Sequence, residues 1–420
     1  MEEINEKVNY CLNCKVKPCS TKGCPLGNQI PQFIEQIKQG NVLKAYEILS
    51  ETTVLPGVCG RICPHQKQCQ GSCVRGIKQK PVSIGDLEAF IFDELAEDED
   101  SLRKCYQEEM KKKKKDKKVA VVGGGPAGLT ASAFLAKNGI QVTIYEKYNY
   151  LGGLLVHGIP EFRLPKEIVQ KTVNKILRLG IEVKYERQLG KNLFLKDLEE
   201  QYDAIFLSIG ANQSSKMGVE GEELEGVLGG NELLEYKLHP DYKGKVVAVV
   251  GGGNVAMDCA RTVKKLGAKE VKVIYRRGRE QMPAEDKEVE EAKKEGIEFL
   301  FQNNIVKILG KSKVEKIELI KTKLVPKEND TRLVPVNIEG SNETIKADYI
   351  IMALGSKVEP YVKKLGLKTN SWGNIEINRN YQTSHPKVYA GGDLAGIKGT
   401  VAWAAYSGRE AASNIVKNRE

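Results

Sequence analysis

A short apolar run, a glycine-rich turn, a helical stretch and a second apolar run follow one another twice in this chain, and nothing else in it restricts the fold as much. The first copy reads VAVVGGGPAGLTASAFLAKNGIQVTIYEK and the second VVAVVGGGNVAMDCARTVKKLGAKEVKVIYRR. In the first, Gly123, Gly125 and Gly128 stand in GxGxxG spacing, with Pro126 and Ala127 between the last two. Gly123 permits the tight turn, Gly125 lets the backbone approach a pyrophosphate at the helix N-terminus, and Gly128 lets helix and strand pack closely. Glu146 ends the second strand, where a carboxylate bonds a ribose hydroxyl. A lone glycine turn is a weak signal, but strand, turn, helix, strand and acid at this spacing predict a dinucleotide-binding unit.

The second copy carries Gly251, Gly253 and Ala256, with Asn254 and Val255 opening its helix. Aligning the strand ends puts Arg276 where Glu146 stands in the first copy, with Arg277 beside it. An acid there repels a 2′-phosphate, whereas a guanidinium binds one through charge-assisted bonds, so this site is expected to prefer NADPH.

Around the fingerprints, Ala204 to Leu207, Val271 to Tyr275 and Tyr349 to Met352 are further short apolar runs between glycines and helical stretches. That alternation predicts an α/β fold with parallel sheets covered by helices. Near the C-terminus, HPKVYAGGDLAG holds Gly392 and Asp393 before a helical stretch from Thr400. It resembles the second flavin contact of flavoproteins with two dinucleotide domains, in which the acid approaches the ribityl chain. The same resemblance includes Gly210 and Gly355, at the crossings between the two domains. It implies an FAD domain at 119–212 and 358–420, split around an NADPH domain at 213–357. Neither fingerprint is followed by a close pair of cysteines, and Cys259 stands alone on a helix as a packed side chain. Electrons therefore need another outlet.

Residues 1–110 supply one, with nine of the ten cysteines. Cys11, Cys14, Cys19 and Cys24 have the spacing CxxCxxxxCxxxxC, and Cys59, Cys63, Cys69 and Cys73 the spacing CxxxCxxxxxCxxxC. Thiolates at such intervals can surround cubane clusters, and two [4Fe–4S] clusters fit the count. Zinc is the alternative, which the wider gaps suit less well, and disulfides are disfavoured in a reducing compartment. The opening MEEINEKVNYCLNC has no basic segment before an apolar one, and no apolar run approaches the ~18 residues of a spanning helix. A cytoplasmic chain with no membrane contact is expected. The formal net charge is +10, but over half of it lies in the lysine run 111–118, read as a solvated linker. No aromatic residue interleaves that run, which argues against nucleic acid.

Several motifs in one order then make the chain recognisable. CPLGNQIPQFI, CGRICPHQKQCQGSCVRG, GGLLVHGIPEFRLPKEIV, GGGNVAMDCARTVKKLGA and YRRGREQMPA together resemble the small subunit of NADPH-dependent glutamate synthase, over nearly the whole chain. The module also resembles parts of dihydropyrimidine dehydrogenase and of electron-bifurcating ferredoxin:NADP oxidoreductase. The resemblance implies that Gly153, Leu154 and Arg163 contact flavin and that Asn254 and Val255 face NADPH phosphates. It further implies iron ligation by an acid or amide, a position matched here by Glu88. One cluster would then use Cys11, Cys14, Cys19 and Cys73, the other Cys24, Cys63, Cys69 and Glu88, leaving Cys59 unassigned. Cys24 stands one residue further from Cys19 than in some relatives, so ligation by eight cysteines also stays open. His157 reads as structural.

What is implied is hydride transfer from NADPH to FAD, with electrons then passing through the clusters to a partner. The chain has no room for a glutaminase domain or a 2-oxoglutarate-binding barrel, so the expected partner is the large catalytic subunit of glutamate synthase. Another redox subunit or ferredoxin is the rival partner, and a non-catalytic electron-relay subunit is the rival role.

Overall fold

The computed structural model describes residues 2–112, 116–327 and 330–418. They form two compact units. One comprises residues 1–156, 161–211 and 358–420, the other 157–160 and 212–357.

The first unit opens with short helices: Glu2–Asn9, Ile30–Lys38, Val42–Ser50, Pro56–Ile62 and Ile84–Glu94. Pro31 and Pro56 sit in first turns, where a missing N–H costs nothing. Phe33, Leu49, Leu55, Leu87 and Phe92 are fully buried between these helices. The acidic-then-basic stretch after Asp93, which lacks apolar periodicity beyond Leu102, forms the helix Ser101–Lys112 and so runs into the lysine run. Only Ser101, Leu102 and Tyr106 of that helix are buried. The Tyr106 hydroxyl donates to the Ser50 carbonyl, and two anchored positions one turn apart suffice to hold a helix that is otherwise solvated. Lys113 to Lys115, the middle of the linker, lie outside the described residues.

A five-stranded parallel sheet follows in the same unit. Its spatial order is Val388–Ala390, Ala204–Leu207, Lys118–Val122, Gln141–Tyr145 and Glu182–Lys184. The helices Pro126–Lys137 and Val401–Lys417 cover one face, in contact so close that a side chain at Gly408 would meet the Ala127 carbonyl at 2.1 Å.

The second unit repeats the plan, with Val227–Gly229, Tyr349–Met352, Val246–Val250, Glu270–Tyr275 and Glu298–Phe301 side by side and parallel. The helices Asn254–Lys265 and Asp286–Lys294 bury Met257, Val263 and Val289 in its core. An antiparallel sheet, made by Asn303–Leu309, Lys316–Lys327, Asp330–Asn337 and Glu343–Lys346, packs Ile305, Ile308 and Ile317 beneath Ala248 and Val250. No helix among the described residues is long and apolar enough to cross a membrane.

Candidate functional site

In the first fingerprint the strand ends at Val122, and the chain turns through Gly123 at φ +101°. A side chain at Gly128 would come within 1.9 Å of the Gly123 carbonyl oxygen, so helix and turn are in backbone contact. Gly125 caps the helix Pro126–Lys137, and the space beside its Cα is open. That opening at a helix N-terminus is where a pyrophosphate fits, with unpaired N–H groups and the positive end of the helix dipole facing it.

Two further glycines of the first unit approach this turn and helix. Gly153 comes against Gly125, within 3.0 Å of its Cα as measured from an added side-chain carbon, and Leu154 begins the turn of helix behind it. Gly392 approaches Ala127, and its N–H donates to the Ser407 hydroxyl at 2.9 Å. Asp393 follows, with burial pushing its carboxyl up to about 6. Thr400 caps the helix Val401–Lys417, its hydroxyl oxygen accepting from the Trp403 N–H at 3.3 Å. Arg163 is half-buried on the turn of residues 161–163. Glu146 is almost fully buried, and its carboxylate accepts from the N–H of Gly124 at 2.7 Å and of Tyr148 at 3.0 Å. Burial raises its pKa despite those two donors. The acid thus ties the end of the second strand to the glycine turn.

The second fingerprint is shaped alike and charged differently. Gly251 turns the chain at φ +140°, Gly253 caps the helix, and Asn254 and Val255 form its first turn. The Asn254 side-chain oxygen accepts from the Glu285 N–H at 3.0 Å, and the Ala284 N–H donates to the Gly252 carbonyl, also at 3.0 Å. The segment after the arginines is therefore pinned to the glycine turn. Tyr275 lies over Gly252, and its hydroxyl donates to the Gln281 carbonyl at 2.9 Å. Arg276 is exposed and Arg277 half-buried, yet Nε of Arg277 is shielded from solvent and finds no acceptor among the described residues. A shielded guanidinium N–H lacking an acceptor fits an absent anion such as a phosphate. Gly355, at φ +114°, accepts from the Ser215 N–H at 2.9 Å.

The cysteines fall into two groups. Cys11, Cys14, Cys19 and Cys73 line one cavity, whose walls otherwise include apolar side chains such as Ile30, Ile34 and Val82 and the side chain of Arg75. Asn13 and Lys17 adopt φ of +46° and +50°, left-handed values that bend the loop around this cavity. Cys24, Cys63, Cys69 and Glu88 form the second group, each close enough to act on the charge of another. Burial pushes Cys24 up to about 12 and Glu88 up to about 8, and Cys69 rises well above its ordinary value for the same reason. Cys59, from the helix Pro56–Ile62, hydrogen-bonds Cys63, and that bond is the main reason the Cys63 thiol is raised. Four acids, Cys24, Cys63, Cys69 and Glu88, crowded out of water and pushed toward their neutral forms are what a cationic centre would ionise, because it supplies the missing counter-charge. Among the described residues no three His, Cys, Asp or Glu side chains converge closely enough for a single ion.

Sequence reasoning missed Asn28, which is buried and donates to Glu88 Oε1 at 3.4 Å. It stands in CPLGNQIP, and only its partner, sixty residues away, distinguishes it from a turn residue. Tyr275 and Ala284 were likewise invisible, since each acts through a backbone it meets only in the fold.

Comparison with known proteins agrees with this geometry. Residues 117–411 match the family described as pyridine nucleotide-disulphide oxidoreductase, and residues 1–100 the family described as dihydropyrimidine dehydrogenase domain II, 4Fe-4S cluster. The chain is 34% identical to the glutamate synthase [NADPH] small chain of Halomonas elongata, over 99% of this chain and 90% of that one. It is 35% identical to the NADP(+)-dependent formate dehydrogenase subunit beta of Moorella thermoacetica, over 95% of this chain and 59% of the relative. Among solved structures, FprA of Mycobacterium tuberculosis in complex with NADPH superposes with a TM-score of 0.65 at 20% identity, covering 72% of this chain and 84% of that one.

Proposed function

The chain belongs to the pyridine nucleotide-disulphide oxidoreductase family, with glutamate synthase small chains as near full-length relatives, and from that premise we propose that it is an NADPH-oxidising electron-input subunit. Bound FAD would supply an acceptor for the two-electron hydride of NADPH, and bound [4Fe–4S] clusters would supply single-electron transfer.

The chain's own residues divide the work. Arg276 and Arg277 hold the 2′-phosphate, and the helix N-terminus at Asn254 and Val255 faces the NADPH pyrophosphate. Gly125, Gly153 and Gly392 shape the FAD cradle, with Glu146 at the ribose and Asp393 at the ribityl chain. Cys11, Cys14, Cys19 and Cys73 hold one cluster; Cys24, Cys63, Cys69 and Glu88 hold the other. Cys59 supports Cys63 rather than ligating.

One observation carries the reading: both cysteine groups lie in the same compact unit as the first fingerprint. A flavin held there has its electron outlet built into the same body.

The partner we propose is the large catalytic chain of a glutamate synthase. Similarity to a formate dehydrogenase subunit favours one alternative, a different redox partner joined to the same module. Anaerobic purification tests both levels. Bound FAD, iron with acid-labile sulfide, and NADPH oxidation with an artificial acceptor are expected. Absence of iron and sulfide would remove the proposed outlet. Co-purification of a very large amidotransferase chain, rather than a dehydrogenase subunit, identifies the partner.

A further inference from the structure

A line of hydrogen bonds leads from the C-terminal helix into the second cysteine group, and nothing described so far uses it. Arg409 lies on the helix Val401–Lys417, nine residues beyond its cap Thr400. Its Nη1 donates to two backbone carbonyls of the cysteine-rich region, Leu26 at 2.8 Å and Thr52 at 3.0 Å. Its Nε and Nη2 each donate to Glu410 Oε1 at 3.2 Å, and the guanidinium lies over the Tyr406 ring at 5.3 Å. All faces of the guanidinium are thus occupied within the chain, and it bridges segments separated by 383 and 357 positions.

Both carbonyls matter to the second group. Leu26 is two residues from Cys24. Thr52 is held at its carbonyl by Arg409, and its hydroxyl donates to Asn28 Oδ1 at 2.8 Å, with the Leu49 carbonyl further off at 3.3 Å. Asn28, 2% exposed, turns its amide N–H to Glu88 Oε1 at 3.4 Å, and Glu88 is itself 5% exposed. A buried carboxylate with one oxygen held by an amide has its rotation restricted, which leaves the other oxygen available in a defined orientation.

We infer that Arg409, Thr52 and Asn28 form a positioning brace that orients Glu88 as the oxygen donor of the second cluster and locks that cluster's loop to the helix bordering the flavin cradle. The inference rests on the reading of Glu88 as an iron ligand. None of the three residues touches iron or flavin; each acts through the next. The guanidinium serves where an ammonium would not, because its planar fork reaches two carbonyls and a carboxylate at once.

The test uses the full-length holoprotein. Thr52→Val removes the hydroxyl without changing shape, and Arg409→Met removes the fork while keeping a long apolar side chain. In each, stopped-flow bleaching of the flavin by NADPH and total iron are expected to match the parent protein. The paramagnetic resonance signal of one cluster should change while the other stays the same. The single-electron reduction of the altered cluster by reduced flavin should slow about 10-fold, in line with losses seen when outer-shell partners of metal ligands are removed. Unchanged signals and rates in both variants, in a protein where Glu88→Gln does change one signal, overturn the brace alone. A Glu88→Gln signal identical to the parent overturns the ligand assignment and the brace with it. Iron and sulfide absent from the parent protein overturn the cluster reading as well. Should Arg409→Met fail to fold, Thr52→Val decides.

Discussion

The two glycine turns share a backbone and differ in what guards them. In the first, a buried carboxylate, Glu146, accepts from the Gly124 N–H and is sealed from solvent. In the second, the aromatic ring of Tyr275 covers the matching Gly252, and the charge at the strand end is an exposed Arg276 with a half-buried Arg277. A sealed acid can only serve a ligand group that reaches it, such as a ribose hydroxyl, and excludes a second phosphate by repulsion. Open arginines attract one. At the strand ends one carboxylate is exchanged for two guanidinium groups, and in the proposed function that exchange separates an acceptor site from a donor site.

The hardest strike at this comparison is made at its sixth motif position, glycine in one copy and alanine in the other. A methyl group at Gly128 meets the Gly123 carbonyl oxygen at 1.9 Å, so Gly128→Ala should cost at least ~3 kcal/mol through forced backbone movement and yield protein without FAD. Ala256→Gly should cost only about 1 kcal/mol and keep NADPH binding, because that site already accommodates the methyl group. Flavin content and thermal unfolding of both variants measure the contrast, and equal effects would show that the two turns are not built differently.

Replacing Arg276 and Arg277 by alanine comes next. Loss of two charge-assisted contacts of roughly 1.5–3 kcal/mol each should raise the KM for NADPH by at least about 100-fold and leave that for NADH nearly unchanged. A retained NADPH preference would break the assignment of donor and acceptor.

A pH effect separates the acids of the first cradle from the cations of the second. Burial lifts Asp393 to about 6 from an ordinary value of 3.8. A carboxyl raised in the folded state binds more protons folded than unfolded, so its contribution favours folding at low pH and is lost as pH rises through this window. FAD-free protein should lose up to about 3 kcal/mol of stability between about pH 4 and pH 6, less where solvent screens the group, and Asp393→Asn should flatten that slope. Denaturant titration across the window reads it, and an identical slope in the variant would place the effect elsewhere. The smallest expected change is Tyr275→Phe, which keeps the ring over Gly252 and removes the bond to Gln281. About 1 kcal/mol, seen as a rise of ~5-fold in the NADPH KM with flavin content unaltered, should follow.

Parts of the molecule were legible because their causes are local. The parallel sheets follow from short apolar runs between glycines, and the turn at Gly123 from the need for positive φ. The helix Ser101–Lys112 was not, because only two of its large side chains, Leu102 and Tyr106, are buried and its periodicity is drowned by charge. Cys59 shows the same limit. Its hydrogen bond to Cys63 depends on how the helix Pro56–Ile62 packs, with Gly60 against the backbone of Ala89, which spacing alone does not show.

By itself the sequence determined the two glycine turns and the opposite charge at their strand ends, since Gly123 to Glu146 and Gly251 to Arg276 each lie within one strand–turn–helix–strand unit. Only the tertiary structure decided that Cys11, Cys14, Cys19 and Cys73 line one cavity, that Asn28 meets Glu88, and how Arg409 reaches Leu26 and Thr52. Those contacts join positions from 60 to 383 residues apart, and a hydrogen bond depends on distance in space, which spacing along a chain does not encode.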